Sequence, residues 1–402
     1  MQIDPKKQIE LLSRGVAEFF SPQELEAKLK KGKPLKVKLG FDPTIADLHL
    51  GHTVVLQKLK QFQDLGHQVI FLIGDYTAQI GDPSGQVKTR PVLTEKQVKE
   101  NAKTYLDQAF KILNKKKTIV KKNSEWISKM KPMEMVRLAG KYNVARMEER
   151  EDFKKRLESG SQVTIQEFLY PLLQGYDSVA LKADVELGGS DQKFNLAVAR
   201  DIQRAYGQEP EVILTMPLLL GTDGEKKMSK SYGNFIGISE PPGEIFGKIM
   251  SLTDPLMYHY YELLTDENLL KVKAKHPKEA KVALAKIIIT RFHSEDKALA
   301  AAMEFERVFA RKENPSKIEE FTMHGGAVEI SLVEVLAASG LSSSKGEARR
   351  LIQQNAVRVD EERVSDVEKK LTKGRSYLLQ VGKRKFLKVT LPPTPSHQGR
   401  GK

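Results

Sequence analysis

The sequence predicts an α/β protein: a doubly wound parallel sheet, then a helical domain, then a small α+β domain. Three observations predict it. Short apolar runs alternate with helical patterns through the first half of the chain, that alternation stops near Pro241, and the final segment pairs two short helices with alternating strands. At 402 residues the chain exceeds the usual reach of one hydrophobic core, so two or three domains are expected.

"PLKVKLG" reads as the first strand of the sheet. The following "TVVLQKLKQFQDLG" sets Val55, Leu59 and Phe62 on one helical face, with Gly66 as the stop. "QVIFLIG" is a short apolar run suited to a buried parallel strand, and "KTIV", "DVEL" and "EVILT" are further strand candidates. Thr94 caps a helix with Gln97 at its third position and Val98, Ala102, Tyr105 and Ala109 on its apolar face. This pattern gives a Rossmann-like sheet over residues 1–234, with an inserted helical connective segment. Ligands of such sheets bind at the carboxyl ends of the strands.

After "PPGEIFGKIM", Ala-, Lys- and Glu-rich stretches such as "PKEAKVALAKIIITRF" and "EDKALAAAMEFERVFARK" predict a helical domain over 235–316. The stretch "KENPSKIEEFTMHGG" reads as a linker, placed at 317–330. Over 331–392, "SLVEVLAASGL" and "SKGEARRLIQQNAV" read as helices and "VRV", "SYLLQV" and "FLKVTL" as strands; the tail at 393–402 is expected to be disordered. No repeat of fixed period is visible.

Hydrophobic residues at 40% and charged residues at 29% describe a soluble globular chain, with no window near the ~20 apolar residues of a membrane span. The opening "MQIDPKKQIE" lacks a signal-peptide core, and the absence of cysteine removes disulfides and thiolate metal sites. A cytoplasmic setting is the expectation. The net charge of +14 favours a polyanionic partner. Between Leu341 and Lys388 there are 13 Lys or Arg against 6 Asp or Glu, so half the surplus sits in this short segment, and it points to nucleic acid.

"DLHLGHT" puts His49 and His52 three residues apart at a helix start. Three readings are open: a metal pair, a structural pair, or donors to a phosphate at the helix N-terminus, with Gly51 letting a nucleotide lie close to the backbone. No nearby third His or Cys completes a usual metal site, and no "GxxxxGK[ST]" P-loop is present. The loop "GTDGEKKMSKSYGN" carries Lys226, Lys227 and Lys230. Lysine-rich loops are ordinarily solvated charge, but this one follows the strand "EVILT" and can close over phosphates. In "YPLLQGYD", Tyr170, Gln174 and Asp177 fall at i, i+4 and i+7, a polar face where a bland helix would carry leucine.

"HLGH" and "KMSKS", in this order within an α/β sheet, resemble the two signature motifs of class I aminoacyl-tRNA synthetases. The surrounding "GFDPT", "GDPSG", "YPLLQGYD" and "GGSDQ" narrow the resemblance to the bacterial tyrosyl-tRNA synthetases. "SLVEVLAASGLSSSKGEARRLIQQNAVRV" resembles the S4 RNA-binding domain that ends those enzymes, so the resemblance spans nearly the whole chain. It implies ATP-dependent activation of L-tyrosine to tyrosyl-adenylate, release of pyrophosphate, and transfer to the tyrosine tRNA by a homodimer. ATP would be a substrate arriving with Mg2+, and no protein-bound structural metal is expected.

By the same resemblance His49, His52 and Thr44 donate to the ATP phosphates, and Lys227 and Lys230 are cations of a mobile loop. Gly51, Arg90, Met228, Ser229 and Ser231 line the ATP site, and Gly189 and Asp191 meet the ribose. Asp82, Tyr170 and Gln174 hold the substrate ammonium, Gln192 its carboxylate or amino group, and Asp177 accepts from the phenol. Lys345, Arg349 and Arg350 would meet RNA. On composition alone "GDPSG" and "GGSDQ" are plain turns. One departure stands out: where many relatives read "YCGFDPT", this chain reads "KLGFDPT", so Lys38 replaces a hydroxyl contact. Lys38 could point away, pair with an acidic neighbour, or approach the substrate. A related nucleotidyltransferase and a non-catalytic RNA-binding homologue are the alternative readings, and the four motif His and Lys residues argue against the latter.

Overall fold

The computed structural model describes residues 4–44, 47–84, 93–310, 318–324, 328–382 and 385–393. They fall in two compact units, residues 1–302 and 303–402.

The first unit is built on a six-stranded sheet of β1 (Glu18–Phe20), β2 (Lys36–Phe41), β3 (Gln68–Ile73), β4 (Thr118–Lys122), β5 (Val185–Gly189) and β6 (Val212–Met216). Its spatial order is β1-β6-β5-β2-β3-β4, parallel throughout except for β1, which lies antiparallel to β6. β2 through β6 are the five strands expected from the sequence. β1 is an addition to them, because three half-buried residues are too few to show a period. Strand order reverses between β2 and β5, and that reversal opens a crevice at their carboxyl ends.

Helix Leu50–Asp64 follows β2 and buries Val55, Leu59 and Phe62, each contributing about 1.5–3 kcal/mol of transfer free energy. Gly66, at φ +88°, ends it in a conformation that other residues rarely adopt. Helix Glu95–Ala109 opens with the expected capping box: Gln97 N–H donates to Thr94 Oγ1 at 3.3 Å and Thr94 N–H to Gln97 Oε1 at 3.0 Å. Val98, Ala102, Tyr105 and Ala109 are its buried face. Between β4 and β5 lies the inserted segment, with helices Pro132–Ala139, Val144–Glu148 and Glu151–Glu158 leading into the long helix Ile165–Leu181.

Two expected boundaries differ from the structure. Helices Pro242–Met250, Asp254–Leu264 and Pro277–Phe292 lie in the same compact unit as the sheet, with no division at 234/235. Backbone pairing explains this: Leu50 N–H donates to the Ile236 carbonyl at 2.9 Å and Ile238 N–H to the Leu48 carbonyl at 3.2 Å. The end of the strand pattern marks a change of secondary structure, not the end of a core. The stretch 317–330, expected as a linker, supplies strands Glu319–Thr322 and Glu329–Ser331. Glu319–Thr322 is mostly exposed and Glu329–Ser331 buries only Ile330, so neither shows an apolar signature.

In the second unit a five-stranded sheet runs Glu362–Val364, Val357–Val359, Arg375–Val381, Lys385–Leu391 and Glu319–Thr322. Helices Leu332–Ala338 and Lys345–Gln353 share its core through Leu332, Val335, Leu336, Ala348 and Ile352, which meet Val357, Leu379 and Val389. The two helices and three longer strand runs are those read from the sequence. The tail from 394 onward lies outside the described residues.

Candidate active site

A cleft of about 920 Å3 opens at the crevice between β2 and β5. Every residue named above for ATP or tyrosine lines it except Arg90, which lies outside the described residues.

At one end stands the start of helix Leu50–Asp64. His49 N–H donates to His52 Nδ1 at 3.2 Å, and the two rings lie against each other with centroids 3.9 Å apart and planes tilted by 34°. Burial, with the neighbouring cations adding to it, pulls His49 down to about 2 and His52 to about 4, so both rings are neutral at pH 7. Since Nδ1 of His52 accepts, its proton resides on Nε2, which is thereby a donor. A Cβ on Gly51 would lie 3.0 Å from the His49 ring, so a side chain there would crowd the imidazole. Among the described residues no group of three or more His, Cys, Asp or Glu is arranged to hold a metal.

Facing the histidines is the lysine loop. Lys227 Nζ pairs with Asp191 and Lys230 Nζ with Asp47, each at 3.0 Å. Asn234 braces the loop from beneath: its Oδ1 accepts from Ser229 N–H at 2.8 Å and its Nδ2 donates to Asp223 at 2.8 Å. Met228 is buried, and Ser229 and Ser231 border the cleft. The Ile236–Ile238 pairing described above ties the end of this loop to the histidine turn.

At the opposite end the polar side chains of the cleft are buried: Lys38, Asp177 and Glu186 are each at most 2% exposed. Tyr170, Gln174 and Asp177 project from helix Ile165–Leu181 as the spacing predicts. Asp177 is 2% exposed; it accepts from Trp126 Nε1 at 2.8 Å and from Asn123 Nδ2 at 3.3 Å. Burial pushes its carboxyl up to about 7, against the pull of Lys38 and those two donors. Tyr170 Oη donates to Asp42 at 2.9 Å, and Asp42 also accepts from Thr77 Oγ1 at 2.7 Å.

Lys38 is fully buried and pairs with an acidic neighbour. Its ammonium donates to Ser178 Oγ at 2.6 Å and the Gln174 carbonyl at 3.3 Å, and it meets Glu186 at 2.9 Å. Three donors and three acceptors leave no N–H for a ligand. Burial alone would lower Lys38; the carboxylates of Glu186, Glu211 and Asp177 more than offset it and hold the ammonium above the ordinary lysine range. Glu211 is pushed well above the usual carboxylate range by burial and by Glu186. Lys38 and Glu186 are register partners on β2 and β5, two unlike charges in the middle of a buried sheet. Sequence reading assigns no role to Glu186, Asp42, Asn123 or Trp126. For Glu186 a signal exists, a lone acid inside the strand "DVEL"; for the others no periodicity connects them to the site.

Lys345, Arg349 and Arg350 are exposed on the helix Lys345–Gln353 of the second unit, where Lys345 pairs with Glu334 at 2.7 Å.

A switch-point cleft whose one end gathers cations and helix-start donors, and whose other end is a buried carboxylate pocket, defines a class of α/β enzyme that joins a small polar molecule to a nucleotide. Comparison with known proteins is specific about which. Residues 30–310 match the family described as tRNA synthetases class I (W and Y), and residues 312–389 match the tyrosine–tRNA ligase SYY-like C-terminal domain. The tyrosine–tRNA ligase of Carboxydothermus hydrogenoformans is 53% identical over 96% of this chain and 98% of its own length. That of Francisella tularensis is 52% identical over 96% and 99%. Among solved structures, the tyrosyl-tRNA synthetase of Archaeoglobus fulgidus complexed with L-tyrosine shares the fold at a TM-score of 0.62 and 22% identity, covering 74% of this chain and all of that one. The chain belongs to the tyrosine–tRNA ligase family of class I synthetases.

Proposed function

We propose that the buried end of the cleft takes the side chain of L-tyrosine, that ATP lies between the histidine turn and the lysine loop, and that the cleft joins them as tyrosyl-adenylate. The observation that carries this reading is Asp177: a carboxylate at the bottom of a buried pocket, oriented by two N–H donors and left with acceptor capacity for a phenol O–H. Leaving such a group unpaired is costly, which disfavours phenylalanine; enzymes of this class are the standing example of a pocket that rejects the analogue lacking a hydroxyl.

In the reaction the tyrosine carboxylate attacks the α-phosphorus of ATP, forming a C–O–P bond and breaking the bond to the bridging oxygen of pyrophosphate. The nucleophile is already ionised, so no general base is required. What the site contributes is alignment and neutralisation of charge on the leaving group. His52 Nε2–H and the helix start are donors there, and Lys227 and Lys230 reach the phosphates by leaving Asp191 and Asp47. Thr44, Gly51, Arg90, Met228, Ser229 and Ser231 complete the ATP contacts, with Gly189 and Asp191 at the ribose. Asp82, Tyr170, Gln174 and Gln192 hold the amino-acid end of tyrosine. Magnesium enters on the ATP phosphates, since it keeps several waters and seldom needs an all-protein cage. A terminal ribose hydroxyl of the tyrosine tRNA then attacks the acyl carbon and AMP leaves, with Lys345, Arg349 and Arg350 on RNA phosphates in the second unit.

The enzyme works in the cytoplasm as a homodimer in this reading. Met133, Val136, Val144 and Ile165 on the inserted segment are 57–74% exposed, apolar side chains that a second copy would cover. Among the described residues no helix is long and apolar enough to cross a membrane. The test is exchange of labelled pyrophosphate into ATP, screened over all amino acids. Exchange with tyrosine alone is the expected result, and its absence overturns the reading.

A further inference from the structure

Arg150 stands at the N-cap of helix Glu151–Glu158, outside the residues assigned above, and is only 5% exposed. A guanidinium is kept dry only when its donors are met. Its Nε pairs with Asp152 at 2.7 Å, one terminal nitrogen donates to Ser84 Oγ at 2.8 Å and the other to Asn195 Oδ1 at 3.1 Å. The rings of Phe153 and Phe194 lie 4.8 and 5.5 Å from it.

Both of its uncharged partners in turn hold Asp82. Ser84 donates to Asp82 Oδ1 through N–H at 2.9 Å and Oγ at 2.7 Å. Asn195 Nδ2 reaches the same oxygen at 3.4 Å and Gln192 Oε1 at 3.0 Å, and Gln192 Nε2 donates to Asp82 Oδ2 at 2.8 Å. The guanidinium itself comes no nearer to Asp82 than 3.9 Å. We infer that Arg150 is a positioning residue for the substrate ammonium: by fixing Ser84 and Asn195 from the inserted segment, it holds Asp82 in place before tyrosine arrives. Preorganisation of this kind shows as affinity, because the ligand does not have to order the group it binds. The inference rests on the reading that Asp82 meets the ammonium.

The test compares two ligands of the full-length enzyme, L-tyrosine and 3-(4-hydroxyphenyl)propionate, which keeps the phenol and carboxylate and lacks the amino group. Arg150→Met should weaken L-tyrosine about ten- to hundredfold, the range for one hydrogen bond to a charged group, and leave the desamino acid within about twofold. Arg150→Lys, which keeps the charge without the fork, should fall between wild type and Arg150→Met. An equal loss for both ligands, or no loss for either, overturns the inference. If Arg150→Met does not fold, Ser84→Ala with Arg150 intact should give the same selective loss, and an unselective or absent loss there overturns it equally. Asp82→Asn separates the two readings: if it leaves the ratio of the two affinities unchanged, the ammonium assignment of Asp82 fails, whatever Arg150 does.

Discussion

At the open end of the cleft Lys227 and Lys230 meet Asp191 and Asp47 at 3.0 Å with lysine side chains 37% and 26% exposed; at the closed end Lys38 meets Glu186 at 2.9 Å with neither above 1%. The three contacts have nearly the same length and opposite physics. Exposed pairs contribute about 0–1 kcal/mol, so a polyphosphate can draw the two lysines from their aspartates at small cost. Removing one partner from a buried pair costs about 3–5 kcal/mol, so separating Lys38 from Glu186 is far costlier than opening either loop pair. One end of the cleft is built to exchange partners, and the other to keep them.

That contrast can be broken by experiment. The largest effect is expected at the open end: His52→Ala or Lys230→Ala should lower kcat for pyrophosphate exchange by about 10²–10³-fold, as loss of a donor to developing charge does, while tyrosine affinity moves less than about twofold. A parallel loss of tyrosine affinity would mean that the two ends are not separable. Next, Asp177→Asn should lower kcat/KM for tyrosine by about 30–100-fold and leave phenylalanine nearly unchanged, narrowing the gap between the two substrates. Lys38→Met leaves Glu186 buried without its counter-charge and should raise KM for tyrosine about tenfold; Lys38→Met with Glu186→Gln, which removes both charges, should recover most of it. Failure of the double variant to recover would make Lys38 a contact in its own right.

The smallest effect concerns pH. Asp177, raised to about 7, is neutral below that pH and charged above it. Tyrosine binding should therefore strengthen as pH rises through about 7 and level off above, by roughly five- to tenfold from about pH 6 to 7.5. The chain's single tryptophan, Trp126, donates to Asp177, so its emission reports this titration without ATP. Asp177→Asn should flatten the profile, and a slope that survives the substitution would assign it to another group.

The open end is legible in the sequence because its groups are local: "HLGH" is one helix turn and "KMSKS" one loop, each beside a strand end that the apolar runs locate. What the sequence leaves open there is which ring nitrogen of His52 carries the proton, and that is set by the hydrogen bond from His49 N–H to His52 Nδ1. The closed end is half legible. Tyr170, Gln174 and Asp177 share a helix and its period. Trp126 and Asn123 come from a separate short helix and its cap, and Asp42 from beyond β2, brought in by tertiary packing. Lys38 becomes interpretable only with register, since its partner Glu186 lies 148 positions away and is adjacent only because β2 and β5 pair. The strands at Glu18–Phe20 and Glu319–Thr322 are silent in the sequence for a simpler reason: edge strands of three or four residues carry no buried face of their own.

The short ladder between Leu48–Leu50 and Ile236–Ile238 has a consequence for how the molecule comes into being. It is a seam sewn between segments far apart in the chain, and contacts of that separation form late because a long loop must close first. A growing chain that has not yet emitted Ile236 carries the histidine turn without the segment that anchors its opposing lysine loop. ATP, which would grip both sides of the seam, should act as a fastener on the finished fold, raising its melting temperature in proportion to the logarithm of nucleotide concentration.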